Sequence, residues 1–520
     1  MFSLPRAPSA APAGLHGAMK PRAAIRAIAG FLLCGAGLWL ALPSPYRERN
    51  YVIDAGGCQL ETTILQEDEG ASNGDVVLFH GLSANRKIMS YLARGFAQQG
   101  LRVYLSDFPG HGRTAGPFSP ARAEQCGEAL LRELLARGAI TADRTIVAGH
   151  SMGGAVALRI ASRVSVAGVV AISPAPMRAG HGASAEMLLF LDPPPLPLHT
   201  LIVSGSLEPK SMRSNAADLI ASRNDDTAKY VEIPRASHVG VLFSSATVRV
   251  TGDWAAQVLH LPPTPNFPSH GPLAGALLGF VGLLMIAVPF LREVNRTQRL
   301  ETLAPVGTAT PVLRLWLEYA AGSMMVVMIL RFWIPMKMTR LFQGDYLVSF
   351  QLLLGMALVA VHWKSARVAL SRSLRPLAAG AFAGMVLFLL ITAWFDLTFY
   401  EAWLTAAKWA RFPLLFLALL PYHFAEETVL GTAHSDKRWR RLALALSLRL
   451  IAWCALMWGV LFLHSGEMLM GLLALYFALF NIAQRRAMDI VREETGSATA
   501  ATVFGAILQA GFCLVIFPVT

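Results

Sequence analysis

The sequence predicts two fold classes in one chain: an α/β domain on a mostly parallel sheet with helices on both faces, then an all-α polytopic membrane domain of about eight helices. Three observations carry this. Between 45 and 265, short apolar runs of strand length alternate with amphipathic helical stretches, as in a parallel sheet covered on both faces. Within that region Ile146–Leu158 reads IVAGHSMGGAVAL, an apolar run closed by Gly149, a serine two positions on, and a small-residue helix directly after it. Beyond Pro272, apolar runs long enough to cross a bilayer follow one another to the end. With 54% apolar and 15% charged residues and a mean hydropathy of +0.47, a wholly soluble protein is excluded.

Residues 1–23 are Ala/Pro-rich and basic and read as a disordered N-terminus on the cytoplasmic side. Ala24–Leu42 reads as a transmembrane signal anchor; a cleavable signal peptide is the alternative, because small residues and Pro43 follow. The α/β domain occupies 45–265, with strands expected at Val76–His80, Leu101–Asp107, Thr145–Gly149, Val166–Ser173, Thr200–Gly205 and Tyr230–Ile233. Helices are expected around Lys87–Gln98, Ala121–Arg137 and Ala246–His260. The membrane domain, 272–520, has apolar runs near 272–291, 312–334, 347–363, 376–398, 412–430, 442–464, 468–484 and 499–518, giving nine spans with the N-terminal one.

Charge fixes an orientation. The net charge is +12, yet residues 45–270 hold 20 Lys+Arg against 20 Asp+Glu, so the excess lies in short tracts between apolar runs and is no nucleic-acid footprint. With the N-terminus inside, the inside segments carry 18 basic residues, among them Arg22, Arg292, Lys364, Arg440 and Arg486. The outside loops carry four: Lys337, Arg340, Lys408 and Arg411. By the positive-inside rule the α/β domain lies on the extracytoplasmic side, the periplasm if the membrane is a bacterial inner membrane. Of five cysteines, Cys34, Cys454 and Cys513 fall in apolar runs; Cys58 and Cys126 lie in the polar domain, and pairing there stays open, depending on an oxidising compartment.

Gly149-His150-Ser151-Met152-Gly153 fits G-x-S-x-G, in which a sharp strand-to-helix turn lifts a serine hydroxyl out of the sheet. Strand and helix then pass so closely that the flanking positions must be nearly free of side chain, and the helix N-terminus aims N–H groups where an oxyanion would form. Other motifs follow in order: Phe79-His80-Gly81-Leu82 after a buried strand, Asp107-Phe108-Pro109-Gly110-His111-Gly112 after the next, Glu208-Pro209 after Leu201–Gly205, and Ala236-Ser237-His238-Val239-Gly240 after a last strand. This set resembles the α/β-hydrolase superfamily of serine hydrolases (S33-aminopeptidase-like and lipase/esterase-type enzymes) over about residues 48–262.

The resemblance implies Ser151 as nucleophile, His238 as general base and Glu208 as the acid that orients it, with backbone N–H groups of Leu82 and Met152 as the oxyanion hole. His80, Gly81, Gly149, His150 and Gly153 would support the site, and His80, His111 and His150 read as structural loop histidines. Glu208 departs from the commoner Asp, which leaves Asp192 and Asp225/Asp226 as alternative acids, and His181 and His260 as rival bases. The plain alternatives are Ser151 as a helix N-cap, His238 as a surface histidine and Glu208 as a solvated carboxylate. The insertion between the Val166–Ser173 and Thr200–Gly205 strands is short, with Met187–Leu191 as a minimal apolar cap or simple packing; an open site suits acyl chains, lipids or peptide ends.

No metal or organic cofactor is implied. The expected activity is cleavage of an ester, thioester or amide of a small-molecule, acyl or lipid-like substrate. An acyltransferase or peptidase on the same fold, or a transporter or receptor whose hydrolase-like domain only binds, are the alternatives. In the membrane domain Glu318, Asp396, His423, Glu426 and Glu427 are costly polar residues inside spans. His423, Glu426 and Glu427 share a helix face at i, i+3 and i+4, which suits a metal or proton path, or pairing with arginine.

Overall fold

The computed structural model describes residues 21–42, 44–67, 72–175, 194–223, 226–262, 267–296, 310–334, 338–370, 374–432, 438–463 and 469–520. Helix α1 is Pro21–Ala41. Strands β1 (Arg47–Ala55) and β2 (Cys58–Gln66) form an antiparallel hairpin closed by Gly56-Gly57, both at positive φ. β3 (Asp75–Phe79), β4 (Arg102–Ser106), β5 (Thr145–His150), β6 (Gly168–Ile172), β7 (Thr200–Gly205) and β8 (Ala228–Ile233) complete one eight-stranded sheet of order β1-β2-β4-β3-β5-β6-β7-β8, parallel from β4 onward.

Between the strands lie α2 (Ser90–Ala97), α3 (Pro120–Ala136), α4 (Met152–Ala161), α5 (Lys210–Ala221) and α6 (Ser245–Leu259). Strand periodicity sorts them onto two faces. Val77, Phe79, Val147, Val169 and Ile202 point toward α3, α4 and α5, while Val76, Leu78, Ile146, Val170, Leu201 and Val203 point toward α2 and α6. Nearly all these side chains are fully buried, so each contributes roughly 1.5–3 kcal/mol of transfer free energy. The β1–β2 hairpin and α5 are additions to the expected elements. β1 carries Arg47, Glu48, Arg49 and Asp54 on a largely exposed strand, so it has no continuous apolar run to detect.

The C-terminal half contains α7 (Gly271–Arg296), α8 (Val312–Phe332), α9 (Gly344–Val361), α10 (Trp363–Leu370), α11 (Leu374–Thr398), α12 (Ala406–Thr432), α13 (Arg438–Phe462), α14 (Leu469–Leu472), α15 (Ala474–Thr495) and α16 (Ala498–Ile516). Eight of these are long helices, and they share one apolar core. One of the nine expected spans is less apolar than the others. Among the described residues eight helices are long and apolar enough to cross a membrane: α1, α7, α8, α9, α11, α12, α13 and α16. The run at 468–484 is displaced into α14 and α15, and the second half of α15 carries Arg485, Asp489 and Arg492, which ion pairs with α12 and α13 hold inside the bundle. Apolarity alone misplaced this helix because its polar residues are satisfied by other helices.

Helix α1 packs along α7 through small residues: a Cβ on Gly37 would strike the Gly275 carbonyl, and one on Gly30 would strike that of Gly282. Its outer face exposes Ile25, Phe31, Leu32 and Trp39, as α8 exposes Leu313 and Leu317 and α13 exposes Leu450 and Phe462. Apolar surface on this scale marks contact with lipid or another apolar partner.

The two halves meet along one edge of the sheet. Parallel strands share a carboxyl edge, where the loops after β3, β4, β5, β7 and β8 emerge. The loops after β3 and β4 lie against the connection 399–405 between α11 and α12, against Phe342 before α9, and against the C-terminus, where Val519 O accepts from Phe118 N at 2.6 Å. Leu341 pairs with Val519 in an isolated bridge, so the ends of α8, α11 and α16 lie on the α/β-domain side of the bundle.

Candidate active site

Ser151 follows β5 directly and precedes α4, with φ 54° and ψ −118°, a conformation that side-chain-bearing residues rarely adopt. The turn is possible because its neighbours are glycines: a Cβ on Gly149 would collide with the Gly153 carbonyl, and one on Gly153 with the carbonyls of Phe79 and His80. Ser151 makes no side-chain capping bond to α4. Its Oγ lies 3.0 Å from His238 Nε2, and His238 Nδ1 lies 3.2 Å from Glu208 Oε1. Glu208 and His238 are buried, 5% and 6% exposed, so neither is the solvated surface group of the plain alternatives.

The arrangement has a proton logic. The Glu208 carboxylate can only accept, so Nδ1 of His238 donates to it and Nε2 is left as the acceptor facing the serine hydroxyl. Glu208 Oε1 also accepts from the Ser173 hydroxyl, while Oε2 is buried with no hydrogen-bond partner among the described residues. Ser173 was not anticipated. It follows β6 at φ 45°, and its N–H donates to Val203 O at 2.6 Å, so backbone rather than any sequence motif aims its hydroxyl.

The supporting histidines serve loops. His80 Nε2 accepts from Phe108 N at 3.0 Å, which leaves Nδ1 to donate to Gly81 O at 2.7 Å. His150 Nε2 lies 2.8 Å from His238 O and donates to that carbonyl, tying the turn that bears Ser151 to the loop that bears His238. Burial pushes His80 down to about 4 and His150 down to about 3, and it lowers His111 as well, so all three are neutral at physiological pH. Gly81 sits against the turn: a Cβ there would come within 3.0 Å of Ser151 Cβ. Leu82 is half-buried beside it, and Met152 is fully buried at the start of α4.

Of the alternative acids, Asp226 is exposed, and Asp192 and Asp225 lie outside the described residues. His260 caps the far end of α6, exposed, and His181 and the Met187–Leu191 cap also lie outside the described residues. Cys58 and Cys126 are joined by a disulfide, with Cα atoms 5.7 Å apart. It ties β2 to α3, a pairing the sequence left open because 68 residues separate the two.

In the membrane domain Glu426 accepts from Arg449 at 2.6 and 2.8 Å and from Arg485 at 2.9 Å. Glu427 pairs with Arg441, Arg485 and Arg492 within 3.0 Å. Arginine partners therefore occupy the face on which a metal was conceivable, and among the described residues no group of three or more His, Cys, Asp or Glu is placed to hold one. Glu318 pairs with Arg314 and His362, and Asp396 with Arg113 of the α/β domain.

Part of this domain is similar to known proteins. Residues 70–248 match the family model described as serine aminopeptidase, S33. Esterase YjfP of Escherichia coli strain K12 is 33% identical over 132 residues, 24% of this chain and 51% of the esterase. A pimeloyl-acyl-carrier-protein methyl ester esterase of Sodalis glossinidius is 31% identical over 116 residues, 22% of this chain and 42% of that protein. The chain thus spans about half the length of the curated relatives it matches. Among solved structures, the α/β serine hydrolase XC6422 of Xanthomonas campestris aligns at 20% identity and TM-score 0.33, over 43% of this chain and 99% of that one.

Proposed function

We propose, on the premise that residues 70–248 form an α/β-hydrolase domain of the serine aminopeptidase S33 type, that the whole chain is a membrane-bound serine hydrolase. It cleaves an ester, thioester or amide of an acyl or lipid-like substrate. The observation that carries this is the line Ser151–His238–Glu208, its histidine and glutamate buried, with contacts of 3.0 and 3.2 Å and the serine held at positive φ on the turn between β5 and α4.

In the proposed cycle Ser151 Oγ attacks the carbonyl carbon as His238 Nε2 takes its proton, and Glu208 stabilises the imidazolium. The N–H groups of Leu82 and Met152 receive the oxyanion. Collapse breaks the bond to the leaving group, which takes the proton from His238, and leaves an acyl-serine. Water, deprotonated by His238, then releases the acid and restores the serine.

Three observations support a lipid-like substrate on the extracytoplasmic side. The sheet edge bearing Ser151 faces the membrane domain, as the contacts of the β3 and β4 loops show. The basic residues gather in the segments opposite that face. The Cys58–Cys126 disulfide belongs in an oxidising compartment. The glycine-lined packing of α1 on α7 supports a retained signal anchor over a cleaved peptide. The family's description makes a peptide end the second substrate class to test.

The test is labelling of membranes with a fluorophosphonate serine probe, comparing wild type, Ser151→Ala and His238→Ala. Labelling of wild type alone supports the reading. Absence of labelling in folded wild type overturns it and moves attention to transport or binding by the membrane domain. Release of fatty acid from vesicles against release of amino acid from short peptides separates the substrate classes.

A further inference from the structure

The turn that carries the expected oxyanion donor is held by the membrane domain rather than by its own domain alone. Ser83, next to Leu82, is buried at φ 58°, and its carbonyl accepts from the Tyr400 hydroxyl at 2.8 Å. Two residues on, Asn85 Nδ2 donates to Glu401 O at 3.3 Å, and Arg86 Nη2 lies 2.8 Å from Glu401 Oε1. The Arg86 backbone N–H donates to Asp107 Oδ1 at 2.7 Å, which joins the turn after β3 to the loop after β4. Lys87 donates to Asp396 O, and Arg113 pairs with Asp396 Oδ2 at 2.7 Å. Phe399 rests on Phe243, just past the histidine loop, with ring centroids 5.7 Å apart.

We propose that Tyr400 and Glu401 are positioning residues for the oxyanion turn, so that the hydrolase domain is catalytically complete only when docked on the connection between α11 and α12. The inference rests on the serine-hydrolase reading above. Its physical basis is that a left-handed serine beside a donor of the oxyanion hole needs an external partner to persist, and oxyanion donors act through preorganisation. Three successive contacts from one loop fix the carbonyl of residue 83 and the side chains of 85 and 86. Glu401 and Arg86 are each 5% exposed, so these contacts are shielded from water and salt.

The clamp also has a pH dependence that its neighbours define. Glu401 and Asp107 converge over Gly112, where a Cβ would strike both carboxylates. Around Glu401 stand Arg86 and Lys87 of the turn, Arg113 of the β4 loop and His80 at the end of β3; Lys408 of α12 faces Asp107. Burial, and then the Asp107 charge, push Glu401 up to about 9, so it is protonated at neutral pH and ionises only in alkali. Ionisation there strengthens the pull of Glu401 on Arg86 but sets two buried anions against each other over Gly112, which disturbs the clamp.

The experiment uses the full chain in detergent micelles, with p-nitrophenyl butyrate hydrolysis and fluorophosphonate labelling rate as readouts. Tyr400→Phe is expected to lower kcat about 10-fold and Glu401→Ala about 100-fold, with KM within about twofold, less than or equal to the loss of an oxyanion donor itself. Glu401→Gln, which keeps a neutral group at this position, stays within about threefold of wild type near pH 7 and lacks the wild-type loss of kcat near pH 9. If Tyr400→Phe and Glu401→Gln fold as wild type, label at its rate and share its alkaline limb, the inference is overturned. Absence of labelling in wild type overturns the serine-hydrolase reading instead.

Discussion

Two buried carboxylate sites in this chain solve the same problem in opposite ways. In the membrane domain Glu426 and Glu427 are fully buried, and arginines 441, 449, 485 and 492 meet them at 2.6–2.9 Å, so the negative charge is neutralised in place. In the α/β domain Glu208 is nearly as buried, yet its carboxylate meets a serine hydroxyl and an imidazole, and its Oε2 has no hydrogen-bond partner among the described residues. A compensated carboxylate holds helices together and has nothing left to give. A carboxylate whose only titratable partner is a histidine is arranged for a charge that comes and goes.

Breaking each site tests the contrast. Glu208→Gln keeps the shape but offers His238 an amide that can donate as well as accept. The expected outcome is a fall in kcat of roughly 10²–10⁴-fold at near-constant melting temperature, read by ester hydrolysis in detergent. Glu426→Gln should do the reverse: roughly 3 kcal/mol of stability lost, seen as a lower melting temperature, with kcat of the folded protein unchanged. Equal effects on kcat from both substitutions would erase the distinction.

A second comparison separates His238, the proposed base, from its neighbours. His80 and His150 are held neutral by burial, at about 4 and about 3 against an ordinary value near 6.5. The unfolded chain therefore binds protons in a range where the folded one does not. Their contribution is whole above about pH 6.5 and is lost as pH falls toward the folded values, by about 1.4 kcal/mol per pH unit for each group. The hydrolase domain should thus lose stability on acidification from pH 6.5 toward 4, measured by its unfolding midpoint in urea, and His80→Gln should flatten that slope. A midpoint independent of pH across this range would count against the buried neutral histidines.

Much of this was legible because it rests on local chemistry. Gly149, Ser151 and Gly153 announce the turn by spacing, while Glu208 and His238 are named through the resemblance of their loops to a known family. What escaped depends on tertiary geometry. The β1–β2 hairpin is too charged to show a strand pattern, and the Cys58–Cys126 pairing needs the distance between β2 and α3. α15 hides its arginines among carboxylates of another helix, so hydropathy placed it several residues early. Tyr400 and Glu401 are ordinary loop residues in sequence, and only docking of the two halves brings them to Ser83 and Arg86. Residues that sit in a recognisable motif are readable even when distant segments bring them together, as Ser151, Glu208 and His238 are; contacts between segments with no motif of their own are not.

Ser173 gives the finest test of the contrast, because among the described residues its hydroxyl is the one polar side-chain group besides His238 hydrogen-bonded to the Glu208 carboxylate. Its hydroxyl donates to Oε1, the same oxygen that faces His238 Nδ1, so it shares that oxygen's charge and fixes the carboxylate's rotation. Removing it in Ser173→Ala leaves Glu208 charged, buried and one hydrogen bond poorer, a change of about 1–3 kcal/mol in the environment of the anion. Part of that appears as stronger pairing of Glu208 with the imidazolium, and part as lost alignment. These oppose each other in kcat, so the expected net loss is modest, about 3- to 10-fold, while the acid limb of kcat/KM moves upward as His238 becomes more basic. The pH–rate profile, rather than the rate at one pH, is therefore the measurement that decides. A loss of activity with an unmoved limb would mean that Ser173 only packs against the loop and does not act through Glu208.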